Sequence, residues 1–199
     1  MTDITQASKE IIEAGKTLYQ MGQVPATSGN FSMRLDDGDI AITISGKHRG
    51  KLTEQDIMQV DLDGQPLADK KPSAETLLHT QLYQEFERVN AVLHPHAMNA
   101  ILLARRYSDF IKLKNYELLK AFDGVTTHTE SIIIPVFEND QNIPRLAKKV
   151  QGYLDLNEKI YAYVIKGHGL YVWGHTMEEA MQYNEVLDYL FACELKSKD

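Results

Sequence analysis

The sequence is poor in cysteine. Cys193 is the only one among 199 residues, which excludes an intrachain disulfide. A single thiol is consistent with a reducing compartment, and we expect the protein to reside in the cytoplasm. Cys193 falls within a helical pattern of apolar residues near the C-terminus, with no neighbour that would lower its pKa, so we expect a packed thiol and not a nucleophile.

Long apolar runs are also lacking. The opening segment MTDITQASKE has no basic stretch followed by an apolar one, which is what a secretory signal peptide requires. No apolar run approaches the roughly 20 residues of a transmembrane helix. We therefore expect a protein that is neither secreted nor embedded in a membrane.

Basic residues are outnumbered by acidic ones. The net charge is −7, and no basic cluster offsets it, which argues against a nucleic-acid-binding protein. A small anionic ligand would need a local binding site. The hydrophobic content of 43% and charged content of 25% are those of an ordinary globular protein. Because no repeat or Pro/Gly/Ser-rich linker divides the sequence, we expect a single domain over residues 1–199.

The apolar pattern predicts a mixture of helices and strands. Helical spacing begins near Ile11 and ends near Gly22, begins again after Ser73 as N-cap, and recurs in three later segments. The later helices are MNAILLAR, IPRLAKKVQGYL and the segment after Thr176, and the strands are NFSMRL, IAITIS, QVDLDGQPL, AVLH, SIIIPVF, KIYAYVIKG and LYVWG. Strands outnumber simple strand-helix-strand units, which favours a layered α/β fold around a largely antiparallel sheet.

Two histidines two positions apart follow the AVLH strand. In an extended segment such residues point to the same side, so His94 and His96 can converge on one metal ion. Two imidazoles still need a third ligand before a site with an open position can form. The best candidate is His168, because Gly167 and Gly169 leave its surroundings free of side-chain bulk. The alternative is a set of hydrogen-bonded histidines without a metal.

The other four histidines lack such a setting: His48, His79, His128 and His175. His79 follows two leucines on a predicted helix among polar residues, and we expect it to be solvated.

Three segments are suited to binding an oxyanion. ATSGNFS and TISGKHRGKLT each place a Ser-Gly pair at a strand junction, where backbone N–H groups can converge on an anion. KPSAE adds Ser73 at a predicted helix N-terminus, where the helix dipole favours negative charge. Each segment alone is explained by a tight turn, but the three together, with Lys47 as the candidate cation, favour a phosphate.

Two glutamates at helix starts are candidates for proton transfer. Glu75 lies in the first turn of the helix after Ser73, and Glu117 opens another predicted helix in KNYELLKAF. A favourable interaction with the helix dipole explains most glutamates at such positions. Sequence spacing alone does not raise either residue above that explanation.

Six motifs together resemble the class II aldolase/adducin family: TSGNFSMRL, ITISGKHRGKLT, KPSAETLLHTQLY, AVLHPHAMNA, FENDQNI and GHGLYVWG. The resemblance covers about residues 10–195. It implies a three-layer α/β/α fold with a central, mostly antiparallel sheet and a homotetramer with sites near subunit interfaces. The implied activity is that of a lyase acting on a small sugar phosphate, by dehydration.

The resemblance also implies roles for individual residues. One Zn²⁺ per subunit is expected on His94, His96 and His168, although Pro95 departs from the family's commoner small polar residue. The residues at the positions where the family binds the substrate phosphate are Gly29, Asn30, Ser45, Gly46 and Ser73. Glu75 matches the acid/base of the family's aldolases, and Glu117 matches that of its dehydratases. Some dehydratases have cysteine at the position of Glu75, which makes Glu117 the expected principal acid/base.

Two alternatives stay open. An aldolase would use the same metal and phosphate site to break a carbon–carbon bond, and Glu75 is compatible with that activity. A non-catalytic interaction module like the adducin head would keep the fold alone. The presence of all three histidines with both glutamates argues against the second alternative.

Overall fold

The computed structural model describes residues 2–157 and 159–197. Within that part of the chain, the helices are α1 (Ile4–Gln20), α2 (Thr76–Glu85), α3 (Met98–Ala104), α4 (Ile143–Leu154) and α5 (Met177–Lys196). The strands are β1 (Asn30–Arg34), β2 (Ile40–Thr43), β3 (Ile57–Val60), β4 (Ala91–His94), β5 (Phe110–Lys114), β6 (Ser131–Phe137), β7 (Ala162–Ile165) and β8 (Gly169–Gly174). Short 3₁₀ helices cover Arg49–Lys51, Glu54–Asp56 and Glu117–Ala121.

The eight strands of the described residues form one sheet in the order β3-β2-β1-β4-β8-β7-β6-β5. Every neighbouring pair is antiparallel except β6 and β7, which run parallel. The predicted, largely antiparallel sheet is therefore confirmed. Strand β5 was not predicted, because Ile111 and Leu113 are its only buried residues and they alternate with exposed ones at the sheet edge.

The helices cover both faces of the sheet. One buried cluster joins the sheet to α1, α3 and α5, through residues such as Ile11, Leu103 and Leu187. A second cluster joins the other face to α2 and α4, through residues such as Leu82 and Val150. Each face thus buries an apolar layer, which is the main source of stability in such folds. The expected three-layer α/β/α architecture is confirmed.

The helix ends agree with the sequence signals in most cases. The first helix ends just before Gly22, whose φ of +73° is a left-handed conformation that glycine adopts without strain. Thr176 caps α5 by accepting a hydrogen bond from the Glu179 backbone N–H. Ser73, however, is not the N-cap of α2. That helix begins at Thr76, and Ser73 lies in the turn before it. The Ser73 carbonyl accepts hydrogen bonds from the backbone N–H and the hydroxyl of Thr76.

No helix within the described residues is long and apolar enough to cross a membrane. The cytoplasmic location and the single-domain organisation stay predictions.

Candidate metal and anion site

Pairing of β4 with β8 brings the three candidate ligands together. His94 is the last residue of β4, His96 follows it, and His168 lies in the turn that joins β7 to β8. The turn is held against the end of β4 by a hydrogen bond of 3.0 Å from the Leu170 N–H to the Pro95 carbonyl. Residues 74 positions apart in the sequence thereby become neighbours.

The ring nitrogens of the three histidines face one another. Nε2 of His94 lies 3.2 Å from Nε2 of His96 and 3.3 Å from Nε2 of His168. His94 Nδ1 is 2.9 Å from the Leu170 carbonyl, which can only accept, so Nδ1 carries the proton and Nε2 presents a lone pair. Such a hydrogen bond fixes the tautomer that metal-binding histidines require.

Two of these imidazoles, those of His94 and His96, are kept neutral by their surroundings. Burial, followed by the neighbouring histidines, holds the pKa of His94 well below its usual value and lowers the pKa of His96 to about 4. Neutral imidazole is the form that binds metals. The potential ligand atoms of His94, His96 and His168 all lie within 4.8 Å of one another, and this donor set fits a metal ion.

Glycine is required at two positions beside the cluster. A Cβ at Gly169 would lie 2.4 Å from the Pro95 carbonyl oxygen and 3.0 Å from Cε1 of His94. A Cβ at Gly29 would lie 2.7 Å from the His94 carbonyl oxygen, and Gly29 also has a φ of +78°. The absence of side chains therefore allows the backbone to approach the histidines from two sides, as expected for Gly169.

The Glu75 carboxylate points into the same cluster. Its oxygens lie 3.1 Å from Nε2 of His168 and 3.4 Å from Nε2 of His94. Asn30 donates a hydrogen bond of 2.7 Å from Nδ2 to Oε2 of this carboxylate, the oxygen that also faces His94. Glu75 precedes α2 as its N-cap residue but makes no side-chain cap hydrogen bond. Its side chain is thus committed to the histidine cluster and not to its own helix.

A cavity of about 520 Å³ opens at the cluster. An isolated bridge between Ile44 and Pro72 brings the SG turn after β2 beside the turn that precedes α2. All five predicted phosphate-binding residues line the cavity, together with Glu75, His96 and His168: Gly29, Asn30, Ser45, Gly46 and Ser73. The structure therefore places the three predicted anion-binding segments around one space next to the histidines.

The cavity residues that were not predicted include Arg49 and Ser28. Arg49 is 3% exposed, and it donates from Nε to the Gly29 carbonyl at 2.6 Å and from Nη1 to the Ile44 carbonyl at 3.3 Å. Burial lowers the pKa of Arg49 to about 10, so it stays cationic at neutral pH. Ser28 lines the cavity with a buried hydroxyl that has no hydrogen-bond partner among the described residues.

Lys47 does not line this cavity. Its ammonium lies 3.1 Å from Asp56 Oδ1, in an ion pair on the outer side of the turn. The cation beside the predicted anion site is Arg49 instead. The only sequence signal for Arg49 was its position three residues after Gly46, and three basic residues share that segment.

The prediction that His79 is solvated was wrong. Its side chain is fully buried on α2, and burial lowers its pKa to about 3. Ser32 Oγ lies 2.7 Å from Nδ1, and Nε2 contacts Asn30 Oδ1. The polar sequence neighbours of His79 suggested exposure. Its partners Asn30 and Ser32 are themselves polar and buried on β1, which the local sequence does not reveal.

Glu117 lies apart from the cavity within one chain. It begins the 3₁₀ helix Glu117–Ala121, and its side chain is 70% exposed. It accepts a hydrogen bond from Lys120, which lowers the pKa of Glu117, and its carboxylate lies 3.7 Å from His128 Nδ1. Glu117 is not among the described residues that line the cavity. A single chain therefore brings Glu75, but not Glu117, to the histidines.

The chain belongs to the class II aldolase and adducin family. The family's profile, Class II Aldolase and Adducin N-terminal domain, matches residues 9–195.

Relatives of the chain include proteins named methylthioribulose-1-phosphate dehydratase. The chain is 50% identical to a methylthioribulose-1-phosphate dehydratase of Methylococcus capsulatus, over 98% of this chain and 96% of the relative. It is 49% identical to a protein of the same name from Pseudomonas aeruginosa, over 96% of this chain and 94% of the relative.

Solved structures share the fold. YgbL of Klebsiella pneumoniae superimposes with a TM-score of 0.84 at 22% identity, over 100% of this chain and 94% of that one. L-Fuculose-1-phosphate aldolase of Thermus thermophilus gives a TM-score of 0.75 at 23% identity, over 94% and 92%.

Proposed function

We propose that this chain dehydrates 5-methylthioribulose 1-phosphate to 2,3-diketo-5-methylthiopentyl 1-phosphate, a step of methionine salvage. The observation that carries the proposal is sequence identity. Over nearly its whole length, the chain is 49–50% identical to proteins named methylthioribulose-1-phosphate dehydratase. A histidine cluster, a carboxylate and an anion-lined cavity in one place support it, because the reaction needs a polarised ketone, a proton acceptor and a phosphate site.

We further propose that His94, His96 and His168 hold one Zn²⁺. Three imidazoles around one point, with a carboxylate beside them, suit zinc and leave room for a substrate. Zinc bound there would supply Lewis-acid polarisation of the substrate ketone. The surrounding residues must bind the phosphate, orient the sugar and move the protons.

The substrate phosphate is assigned to the turns around Arg49. Gly29, Asn30, Ser45, Gly46 and Ser73 all line the cavity, and Arg49 places a cation at the same wall. Because the Asn30 amide is already engaged by His79 and Glu75, we expect its neighbour Ser28 to provide the side-chain contact at this turn. An unpartnered buried hydroxyl is costly unless a ligand satisfies it.

Replacing Ser28 by alanine should weaken substrate binding without destabilising the free protein. The hydroxyl has no partner among the described residues, so its loss breaks no hydrogen bond of the fold. A hydrogen bond to a charged phosphate contributes roughly 1.5–3 kcal/mol, so KM should rise about ten- to hundredfold. Ser8→Ala, which removes a buried hydroxyl on α1 outside the cavity, is the matched control. An unchanged KM in Ser28→Ala would place the phosphate elsewhere.

Glu117 is proposed as the acid/base that removes the C3 proton. It then returns a proton to the departing C4 hydroxyl, which leaves as water, and the resulting enol converts to the diketone. Since Glu117 is exposed and outside the cavity of its own chain, it must act in the cavity of a neighbouring subunit. Glu75, beside the histidines, would assist proton transfer at the other side of the substrate.

Exposed apolar residues near Glu117 support a homotetramer with shared sites. Met98 and Leu102 on α3, Leu118 beside Glu117 and Tyr189 on α5 are 43–69% exposed. Because α5 packs against both α3 and the 3₁₀ helix, these side chains belong to adjoining elements. Large exposed apolar groups of this kind favour burial against another subunit.

The placement of the two glutamates keeps an aldolase as the second candidate. Glu75, which matches the aldolases' acid/base, is the carboxylate at the histidines. A retro-aldol reaction would break the C3–C4 bond and yield dihydroxyacetone phosphate with methylthioacetaldehyde.

Product analysis distinguishes the two activities. We expect the zinc-loaded protein to convert methylthioribulose 1-phosphate to the diketone with release of one water per substrate. Mass spectrometry of the products after derivatisation of the carbonyl groups measures this directly. Formation of dihydroxyacetone phosphate without the diketone would replace the dehydratase by the aldolase.

A further inference from the structure

We propose that His79 is a positioning residue: a buried hydrogen-bond chain from Tyr83 through Ser32, His79 and Asn30 holds the Glu75 carboxylate at the histidine cluster. The inference rests on the proposed role of Glu75 in proton transfer, and it adds His79, Ser32 and Tyr83, which do not themselves line the cavity.

The hydrogen-bond chain runs without a break from the buried core to the histidine cluster. The Tyr83 hydroxyl lies 2.7 Å from Ser32 Oγ, which lies 2.7 Å from His79 Nδ1. Nε2 of the same imidazole contacts Asn30 Oδ1, and Asn30 Nδ2 lies 2.7 Å from Glu75 Oε2. Tyr83, Ser32, His79 and Asn30 are each no more than 3% exposed. Water therefore has little access to compete for these contacts.

The hydrogen bond from Asn30 to the Glu75 carboxylate fixes the direction of every other hydrogen bond in this series. A carboxylate can only accept, so Asn30 must turn Nδ2 toward Glu75 and Oδ1 toward His79. Facing a carbonyl oxygen, His79 must carry its proton on Nε2, which leaves Nδ1 as an acceptor. Ser32 then donates to Nδ1 and accepts from the Tyr83 hydroxyl. One tautomer of His79 satisfies the whole chain.

The opposite arrangement would repel the carboxylate. With the proton on Nδ1, Nε2 of His79 would accept, and the Asn30 amide would have to rotate to donate to it. Asn30 Oδ1 would then face Glu75 Oε2, two acceptors at hydrogen-bond distance. Since Glu75 makes no cap hydrogen bond to its own helix, the donor that holds its side chain is the Asn30 amide. The His79 tautomer therefore determines where the Glu75 carboxylate lies.

Two substitutions of His79 separate positioning from simple packing. In His79→Gln the amide nitrogen reaches the place of Nε2 and can still donate to Asn30, whereas in His79→Asn the shorter amide cannot. We expect His79→Asn to lower kcat about ten- to hundredfold, the usual effect of a misplaced reacting group, with KM changed less than about threefold. His79→Gln should recover most of that loss. Thr80→Val, which removes the adjacent buried hydroxyl outside the chain, is the control.

A double-mutant cycle tests whether His79 acts through Glu75. In a Glu75→Gln background, His79→Asn should cause no further loss of kcat, because the group it positions is already gone. Independent, multiplicative losses would overturn the proposal. Equal losses in His79→Asn and His79→Gln would do the same.

Nitrogen-15 NMR of histidine-labelled, zinc-loaded wild-type protein shows directly which ring nitrogen of His79 carries the proton. We expect one buried histidine, assigned as His79 by its loss in His79→Gln, with its proton on Nε2. A proton on Nδ1 overturns the inference even if His79→Asn fails to fold. If Glu75→Gln alone keeps full turnover, the proposed role of Glu75 in proton transfer fails instead. The position of the His79 proton then still tests whether the hydrogen-bond chain exists.

Discussion

Replacing Glu117 by glutamine should lower kcat by about 10²–10⁴, the usual contribution of a positioned acid/base. Glutamine keeps the size and hydrogen-bonding capacity of the side chain but cannot accept the C3 proton. Zinc content should be unchanged, because Glu117 does not lie among the histidines of its own chain. Substrate binding should change little, because glutamine preserves the shape of the side chain in the neighbouring subunit's cavity. Steady-state kinetics on methylthioribulose 1-phosphate, with metal analysis of the same preparation, measures both.

Glu75→Gln is the matched comparison for this experiment. We expect a milder loss than in Glu117→Gln, since some dehydratases of the family have cysteine at this position. An inactive Glu75→Gln beside a nearly normal Glu117→Gln would reverse the two roles and favour an aldolase-like mechanism, although the fold and the histidine cluster would be unaffected.

Mixed oligomers test whether Glu117 acts in the cavity of a neighbouring subunit. When Glu117→Gln and His96→Ala subunits are unfolded, mixed and refolded together, some cavities combine an intact histidine cluster with an intact Glu117 of the neighbour. Activity should therefore exceed that of either variant alone. If the mixture stays as inactive as its parents, Glu117 does not act across a subunit boundary.

His96→Ala should remove both the metal and the activity. His96 supplies one of three converging imidazoles, and two imidazoles seldom form a stable zinc site. We expect zinc content to fall from one per chain to nearly none, and kcat to fall with it. Inductively coupled plasma mass spectrometry of the purified variant measures the metal.

The exposed histidine His175 provides the control for this measurement. It lies beyond β8, away from the cluster, and His175→Ala should retain one zinc per chain. Equal zinc in wild type and His96→Ala would contradict the ligand assignment. A wild-type protein that binds no metal would instead favour a non-catalytic module with the family's fold.

Local sequence patterns were sufficient for the elements whose signals lie within a few residues. The predicted helix IPRLAKKVQGYL coincides with α4, and the strand AVLH coincides with β4. In α4 the apolar spacing is set by one buried face, and Asn142 caps its start. In β4 all four residues are buried, which produces a short continuous apolar run. The largely antiparallel sheet followed from the number of such strands.

Properties that depend on long-range pairing were not accessible in this way. The burial of His79 requires the polar face of β1 beneath α2, and the choice of Arg49 over Lys47 depends on how the turn after β2 folds back. The start of α2 at Thr76 reflects a turn at Ser73 that a local N-cap signal cannot distinguish from a helix. The exposure of Glu117 follows from its place on a peripheral 3₁₀ helix.

The separation of His94 from His168 bears on the order of events during folding. His94 and His168 are 74 positions apart, and the segment between them includes β5, β6, α4 and β7. The three histidines meet only after β8 has paired with β4. Non-local strand pairing of this kind is slow, because the entropy of closing the intervening chain is lost before the contacts form. Before that pairing only His94 and His96 lie together, so we expect a metal to bind after the central sheet has assembled.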